Sequence, residues 1–103
     1  MNLTIINEDN AIYIDGIALA GLDLSTTGIP DTVHALQWKT NLGWIEFKEN
    51  ADFSKPQNEV INSLPDWANN CVAAHNNRMV EIQEQQAKLA AQPQPTSIGT
   101  QTL

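Results

Sequence analysis

Apolar and polar side chains alternate along residues 33–47, on both sides of a short Asn-Leu-Gly sequence at 41–43. An alternation with period two places every second side chain on one face of a strand, and Asn and Gly favour a tight turn between strands. The pattern therefore predicts a β-hairpin with one buried face. We expect the core residues of this face to be Leu36, Trp38, Ile45 and Phe47. His34 has the same phase, which predicts a core histidine whose ring is hydrogen-bonded to the backbone.

Two shorter apolar runs precede the hairpin, at residues 3–6 and 11–14, and each ends in turn-forming sequence. β-Branched runs bounded by Asn, Asp and Gly are typical of strands. Residues 17–22 leave two interpretations open, a further strand or an irregular crossing segment. Residues 49–62 are mostly polar and contain Pro56, which predicts an irregular path across the sheet. The expected core contacts of that segment are Phe53, Val60 and Ile61.

A long helix is predicted over residues 66–91, because this stretch is rich in Ala, Gln and Glu and has no Gly or Pro. Ser63 and Asp66 match the S-x-x-[DE] pattern that caps the N-terminus of a helix. Pro93 and Pro95 are expected to end the helix, because proline cannot continue its hydrogen bonding.

These elements predict an α+β fold, in which a small antiparallel sheet of about four strands is followed by one long C-terminal helix and an extended tail. A length of 103 residues favours a single domain. We divide it into a β-rich head over 1–65, a helical segment over 66–92, and a flexible tail or partner-binding arm over 93–103. The first half of the helix is expected to pack on the head, with Trp67 as a core anchor.

Beyond Met79 we do not expect so small a head to cover the whole helix, so the apolar stripe of the helix would need another surface. The stripe consists of Met79, Ile82 and Leu89. In the tail, Ile98 and Leu103 provide two further apolar anchors for a partner. The heptad pattern is short and contains Gln86, so an autonomous coiled coil is not expected. Homo-oligomerisation and docking to a larger protein both remain open as uses of the stripe.

The charge is strongly acidic and unevenly placed. The formal net charge is −7, and residues 1–66 hold all of it, with ten carboxylates against three lysines. Nucleic-acid binding is therefore not expected, because it depends on Lys and Arg that neutralise phosphates. The longest apolar run, residues 17–22, is far shorter than a membrane span, and no signal-peptide pattern is present. We expect neither a membrane nor a nucleic-acid partner, and a cytosolic site of synthesis.

Residues with catalytic or metal-binding chemistry are few. Cys71 and His75 are four residues apart on the helix and lie on one side of it, but a metal would need further ligands and a catalytic pair an orienting group. The preferred interpretation is a small buried thiol near a surface or seam histidine. We therefore predict no enzyme activity, no catalytic or metal site and no cofactor.

Five short strings in this order resemble a family of small, mostly uncharacterised phage and prophage tail-associated proteins. They are YIDG at 13–16, LDLS at 22–25, VHALQW at 33–38, GWIEF at 43–47 and LPDWA at 64–68. The resemblance covers about residues 3–75, and the family has no established catalytic motif to carry over.

The resemblance implies a non-enzymatic virion accessory protein of the tail, tail fibre or collar, attached to a larger phage structural protein. It also implies a location in the virion tail, with the bacterial host cytoplasm as the place of assembly. The alternative is a transient tail or tail-fibre assembly chaperone, which leaves before the particle matures.

Overall fold

The computed structural model describes residues 1–91, which form a six-stranded antiparallel sheet and one long helix. The elements in chain order are β1 (Asn2–Ile6), β2 (Ala11–Ile14), β3 (Ile17–Leu19), β4 (Val33–Lys39), β5 (Leu42–Phe47), β6 (Glu59–Ile61) and α1 (Asp66–Ala91). The strands are ordered β3-β2-β1-β4-β5-β6 across the sheet. The antiparallel sheet followed by a C-terminal helix is the predicted α+β arrangement. Gln92 and the tail segment 93–103, with Ile98 and Leu103, lie outside the described residues.

The hairpin of β4 and β5 lies near the middle of the sheet, and its register explains why residue 43 is a glycine. Leu36 is opposite Ile45, and Trp38 is opposite Gly43. A Cβ at Gly43 would overlap the carbonyl oxygen of Gln37 and would approach the Trp38 ring to 3.0 Å. Gly43 is therefore required by this close approach, which a larger residue would prevent.

The core lies between one face of the sheet, which we call the inner face, and the helix together with the β3–β4 connection. Leu36 is fully buried, Trp38 and Ile45 are buried, and Phe47 and Trp67 are half-buried residues packed against them. The remaining buried members of this cluster are Leu3, Ile5, Ile12, Leu22, Leu24, Val33, Ala68 and Cys71. The inner face thus supplies most of the apolar area whose removal from water stabilises the fold.

The prediction of about four strands was wrong, because β3 and β6 add one strand at each edge of the sheet. Residues 17–19 adopt the strand alternative that the sequence left open. Residues 59–61 pair with β5 although the whole 49–62 segment was expected to be irregular. Each edge strand has only three residues, which is too short for a period-two pattern to stand out from its surroundings.

Two of the core contacts expected from the β5–β6 connection are absent. Phe53 is 83% exposed and Val60 is 73% exposed, whereas Ile61 is half-buried and packs against the core. Val60 pairs with Trp44, which is 42% exposed, so both belong to the outer face of the sheet. Phe53 belongs to a turn between β5 and β6, outside the strands, so its position in the sequence does not direct its side chain to the inner face of the sheet.

The core position expected for His34 is also wrong. Val33 is opposite Phe47 and Ala35 is opposite Glu46, so His34 is an extra residue in β4, a β-bulge. A bulge interrupts the strict alternation on which the prediction rested. The His34 side chain is 40% exposed, and its Nδ1 lies 3.0 Å from both carboxylate oxygens of Glu8.

The helix begins at Asp66 as predicted, but its capping residue lies two positions later than the capping pattern indicated. The carbonyl oxygen of Pro65 accepts hydrogen bonds from the amides of Ala68 and Asn69, at 2.9 and 3.2 Å. Pro65 therefore occupies the capping position that was assigned to Ser63. Asp66 lies in the first turn, where its negative charge faces the positive end of the helix dipole.

Candidate partner-binding surface

The first half of α1 crosses the inner face and is held there by apolar and polar contacts. Ala68 and Cys71 are fully buried, and His75 is 3% exposed. The side-chain amide of Asn70 donates a hydrogen bond to the Thr27 carbonyl oxygen at 2.9 Å. The imidazole Nε2 of His75 lies 3.0 Å from the carbonyl oxygen of Ile17 in edge strand β3. This half is part of the folded head.

The second half of α1 leaves the sheet. Met79 and Ile82 are half-buried, and every residue from Gln83 to Ala91 is exposed. Leu89 is 66% exposed. At 3.6 residues per turn, the side chains of Met79, Ile82 and Leu89 follow the same side of the helix as Ala68 and His75. The packing face of the helix therefore continues beyond the sheet as an apolar stripe.

The stripe has little charge around it. Arg78 and Glu81 form an ion pair at 3.2 Å on the helix surface, with both side chains exposed to solvent. Such an exposed pair contributes at most about 1 kcal/mol and leaves no net charge beside the stripe. Val80, which is 51% exposed, lies away from the stripe. The stripe is thus a neutral apolar surface next to a strongly acidic head.

Cys71 and His75 are brought together by the helix, but neither reaches solvent. Burial raises the pKa of the Cys71 thiol, and the polar side chain of Thr27 offsets this rise only in part. The His75 Nδ1 is buried and has no hydrogen-bond partner. A protonated buried thiol is a poor nucleophile and a poor metal ligand. The sequence predicted His75 at a surface or seam. The residue is part of the core because the helix crosses the inner face of the sheet, and the sequence does not give the direction of that crossing.

A shallow depression of about 290 Å³ lies on the outer face of the sheet, opposite to α1. Tyr13 and Trp44 flank it, each with less than half of its surface exposed. Between them Thr4 donates a hydrogen bond to the Gln37 side-chain oxygen at 2.7 Å. The indole Nε1 of Trp44 donates to Glu46 at 2.8 Å, which fixes the ring orientation. Sequence reasoning missed this depression, because its members lie on four different strands.

Residues 1–91 contain no group of three or more His, Cys, Asp or Glu side chains arranged to hold a metal ion. Over the same residues, no helix combines the length and the apolar character needed to cross a membrane. No family model, curated protein or solved structure matches the chain. The candidate surface must therefore be interpreted from its own geometry.

Proposed function

We propose that this chain is a non-enzymatic accessory protein of a phage virion, located in the tail, tail fibre or collar. Its acidic head folds on its own, and the second half of α1 attaches it to a larger structural protein. The continuation of the packing face of α1 beyond the sheet is the observation that carries this proposal. Covering an apolar stripe of this kind with another protein lowers the free energy, because the apolar side chains are removed from water.

The five sequence strings that resemble phage and prophage tail-associated proteins support the choice of partner. Host cytoplasm during assembly and the virion tail afterwards are the corresponding locations. The charge distribution favours the helix over the head as the attachment point, because the head, with nine carboxylates against three lysines, carries −6 of the net −7. A neutral stripe approaches an acidic or neutral partner without the repulsion that the head would produce.

A transient assembly chaperone is the second candidate function. Gln86 interrupts the stripe between Ile82 and Leu89, and a polar residue at such a position weakens helix packing. A weak contact suits a protein that must dissociate from its partner. A homo-oligomer formed through the same stripe is compatible with either function.

Quantitative mass spectrometry of purified particles tests the proposal. We expect peptides of this chain at a constant ratio to a tail protein, in particles purified through two density gradients. A chaperone would appear in assembly intermediates and would be missing from mature particles. Absence from both preparations would contradict each of the two functions.

A further inference from the structure

Phe53 combines two unfavourable features in one short turn. Its side chain is 83% exposed, and its backbone adopts a positive φ of 68°. A bulky residue rarely takes the left-handed conformation, because its Cβ crowds the backbone. Neither feature helps the fold, since Phe53 does not belong to the core cluster. Unfavourable conformations that persist in a structure are concentrated at functional sites.

The turn is closed by its own hydrogen bonds, so Phe53 is held in place. The Asn50 amide donates to the Ser54 carbonyl at 2.7 Å, and the Phe53 amide donates to the Asn50 carbonyl at 2.9 Å. The Ser54 hydroxyl and amide both donate to the Asp52 carboxylate, at 2.6 and 3.0 Å. These bonds lower the pKa of Asp52, so this carboxylate remains ionised beside the exposed ring.

The chain contains a second turn of the same kind, which provides an internal comparison. Ser25 donates from its hydroxyl and its amide to Asp23, at 2.6 and 3.0 Å, so the Asp-Leu-Ser and Asp-Phe-Ser turns share their bonding. Leu24 in the middle of the first turn is 4% exposed and belongs to the core. The same turn chemistry is therefore compatible with a buried middle residue, and at Phe53 it presents the apolar side chain to solvent instead.

We propose that Phe53 is a preformed anchor that inserts into an apolar pocket of the larger protein to which α1 attaches. The inference rests on the proposed function and adds a second point of contact. A rigid aromatic side chain loses little conformational entropy on binding, and aromatic anchors supply much of the affinity of protein interfaces. Because Asp52 remains ionised, the pocket is expected to carry amide donors or a cationic side chain at its rim.

The position of the turn bears on the size of the partner. Phe53 lies in the connection to β6, whereas α1 reaches β3 at the opposite edge of the sheet. A partner that contacts both sites must reach from the β5–β6 connection to the part of α1 beyond β3, which fits a large structural protein. A second copy is a weaker candidate, because two heads, each with nine carboxylates against three lysines and a charge of −6, repel each other.

The test uses the full-length chain with Phe53→Asn, because Asn tolerates the left-handed conformation. Val60→Thr is the matched control, since it removes another largely exposed apolar group with little change in shape. Each protein is supplied in trans to a phage that lacks the gene. The number of copies per purified particle is then measured with isotope-labelled peptides, and thermal unfolding is measured on the purified proteins.

We expect Phe53→Asn to raise Tm by about 4–8 °C, because the backbone strain is relieved. The same substitution should lower the number of copies per particle by about tenfold, while Val60→Thr leaves it unchanged. Three outcomes would overturn this inference but not the proposed function. They are a normal number of Phe53→Asn copies per particle, a lower Tm for Phe53→Asn, and an equal loss of copies with Val60→Thr. Absence of the wild-type chain from particles and intermediates would overturn the proposed function together with it. If the wild-type chain self-associates in sedimentation experiments and Phe53→Asn abolishes this association, the pocket lies on a second copy of the chain. That result would contradict the proposed partner.

Discussion

The His75 imidazole joins the long helix to the edge of the sheet, through its Nε2 and the Ile17 carbonyl oxygen 3.0 Å away. Ile17 opens the three-residue strand β3, and its side chain is 49% exposed, so this strand has little apolar packing of its own. The carbonyl oxygen accepts the hydrogen bond, so Nε2 carries a proton, and the buried Nδ1 has no hydrogen-bond partner. The contact marks the point where α1 stops packing on the head.

Replacing His75 by Leu should destabilise the edge of the sheet more than the rest of the fold. The variant loses the hydrogen bond to Ile17 but also removes the unpartnered Nδ1, so we expect a net loss of about 1 kcal/mol. Hydrogen exchange should accelerate in β3 more than in β4. His75→Gln, which retains a donor, is the control and should restore part of the protection. Equal acceleration in all strands would show that the contact has no local role.

The two histidines show what the sequence could and could not indicate. His34 was expected to be a core residue with a backbone partner, and His75 was expected at a surface or seam. In the structure His75 has the buried, backbone-bonded position and His34 is half-exposed beside Glu8. A bulge shifts the alternation of inward and outward side chains in β4 by one residue, and the local sequence pattern does not predict this bulge.

Longer elements were predictable because their periodic patterns are long enough to be unambiguous. The hairpin and the helix extend over 33–47 and 66–91 in the structure, close to the predicted bounds. The edge strands β3 and β6 depend on pairing with distant residues, so their short sequences carry little signal. The apolar stripe of the candidate surface was also predictable, because its residues follow the spacing of a long helix. Phe53 was misplaced because apolar character alone does not distinguish a buried residue from an exposed one.

Gly43→Ala should destabilise the central hairpin. The new methyl group would overlap the Gln37 carbonyl oxygen and would lie 2.9 Å from the Trp38 Cα, so the strands would have to separate. We expect a loss of about 1–3 kcal/mol in the free energy of unfolding, which is typical of overpacked sites. Urea denaturation followed by tryptophan fluorescence measures it. Gly21→Ala provides a comparison, because its added Cβ meets no atom within 4 Å and its strain arises only from a positive φ of 69°.

Cys71 should be chemically inert in the folded protein. Because burial raises the pKa of its thiol above the ordinary value of 9.0, the thiol remains protonated in neutral solution. Its contribution to stability is fully present below that value and is lost as the pH rises through the higher pKa of the folded state. We expect a disulfide reagent at pH 8 to react about 100-fold more slowly with the native than with the urea-unfolded protein. Cys71→Ala should cost about 1 kcal/mol. Fast native labelling would contradict this burial.

Asp52 should contribute to stability only while it is ionised. Hydrogen bonds from the Ser54 hydroxyl and amide lower the pKa of Asp52 below its ordinary value of 3.8. The contribution is therefore present above that value and is lost as the pH falls through the lower pKa of the folded state. Asp52→Ala should reduce the urea midpoint at neutral pH, and the difference from wild type should narrow as the pH falls below 3.8. A difference independent of pH would mean that the turn does not depend on the charge.

Leu89→Glu should weaken attachment without changing the fold. Leu89 is 66% exposed at the end of the apolar stripe, so a charge there would have to be buried when a partner covers it. Val80→Glu is the matched control, because Val80 is 51% exposed and lies nine residues earlier, which corresponds to two and a half helical turns and therefore to the opposite side. Both substitutions should change the free energy of unfolding by less than about 0.5 kcal/mol.

Only Leu89→Glu is expected to reduce the binding of this chain to particles, by about tenfold or more, as measured with the particle assay described above. Removal of residues 79–103 should abolish attachment and leave a folded head, because Ala68, Cys71 and His75 remain in the core. Circular dichroism checks that this truncated head keeps its sheet. If Val80→Glu weakens attachment as much as Leu89→Glu, the helix binds without a preferred face. If neither variant nor the truncation has an effect, attachment must run through the head.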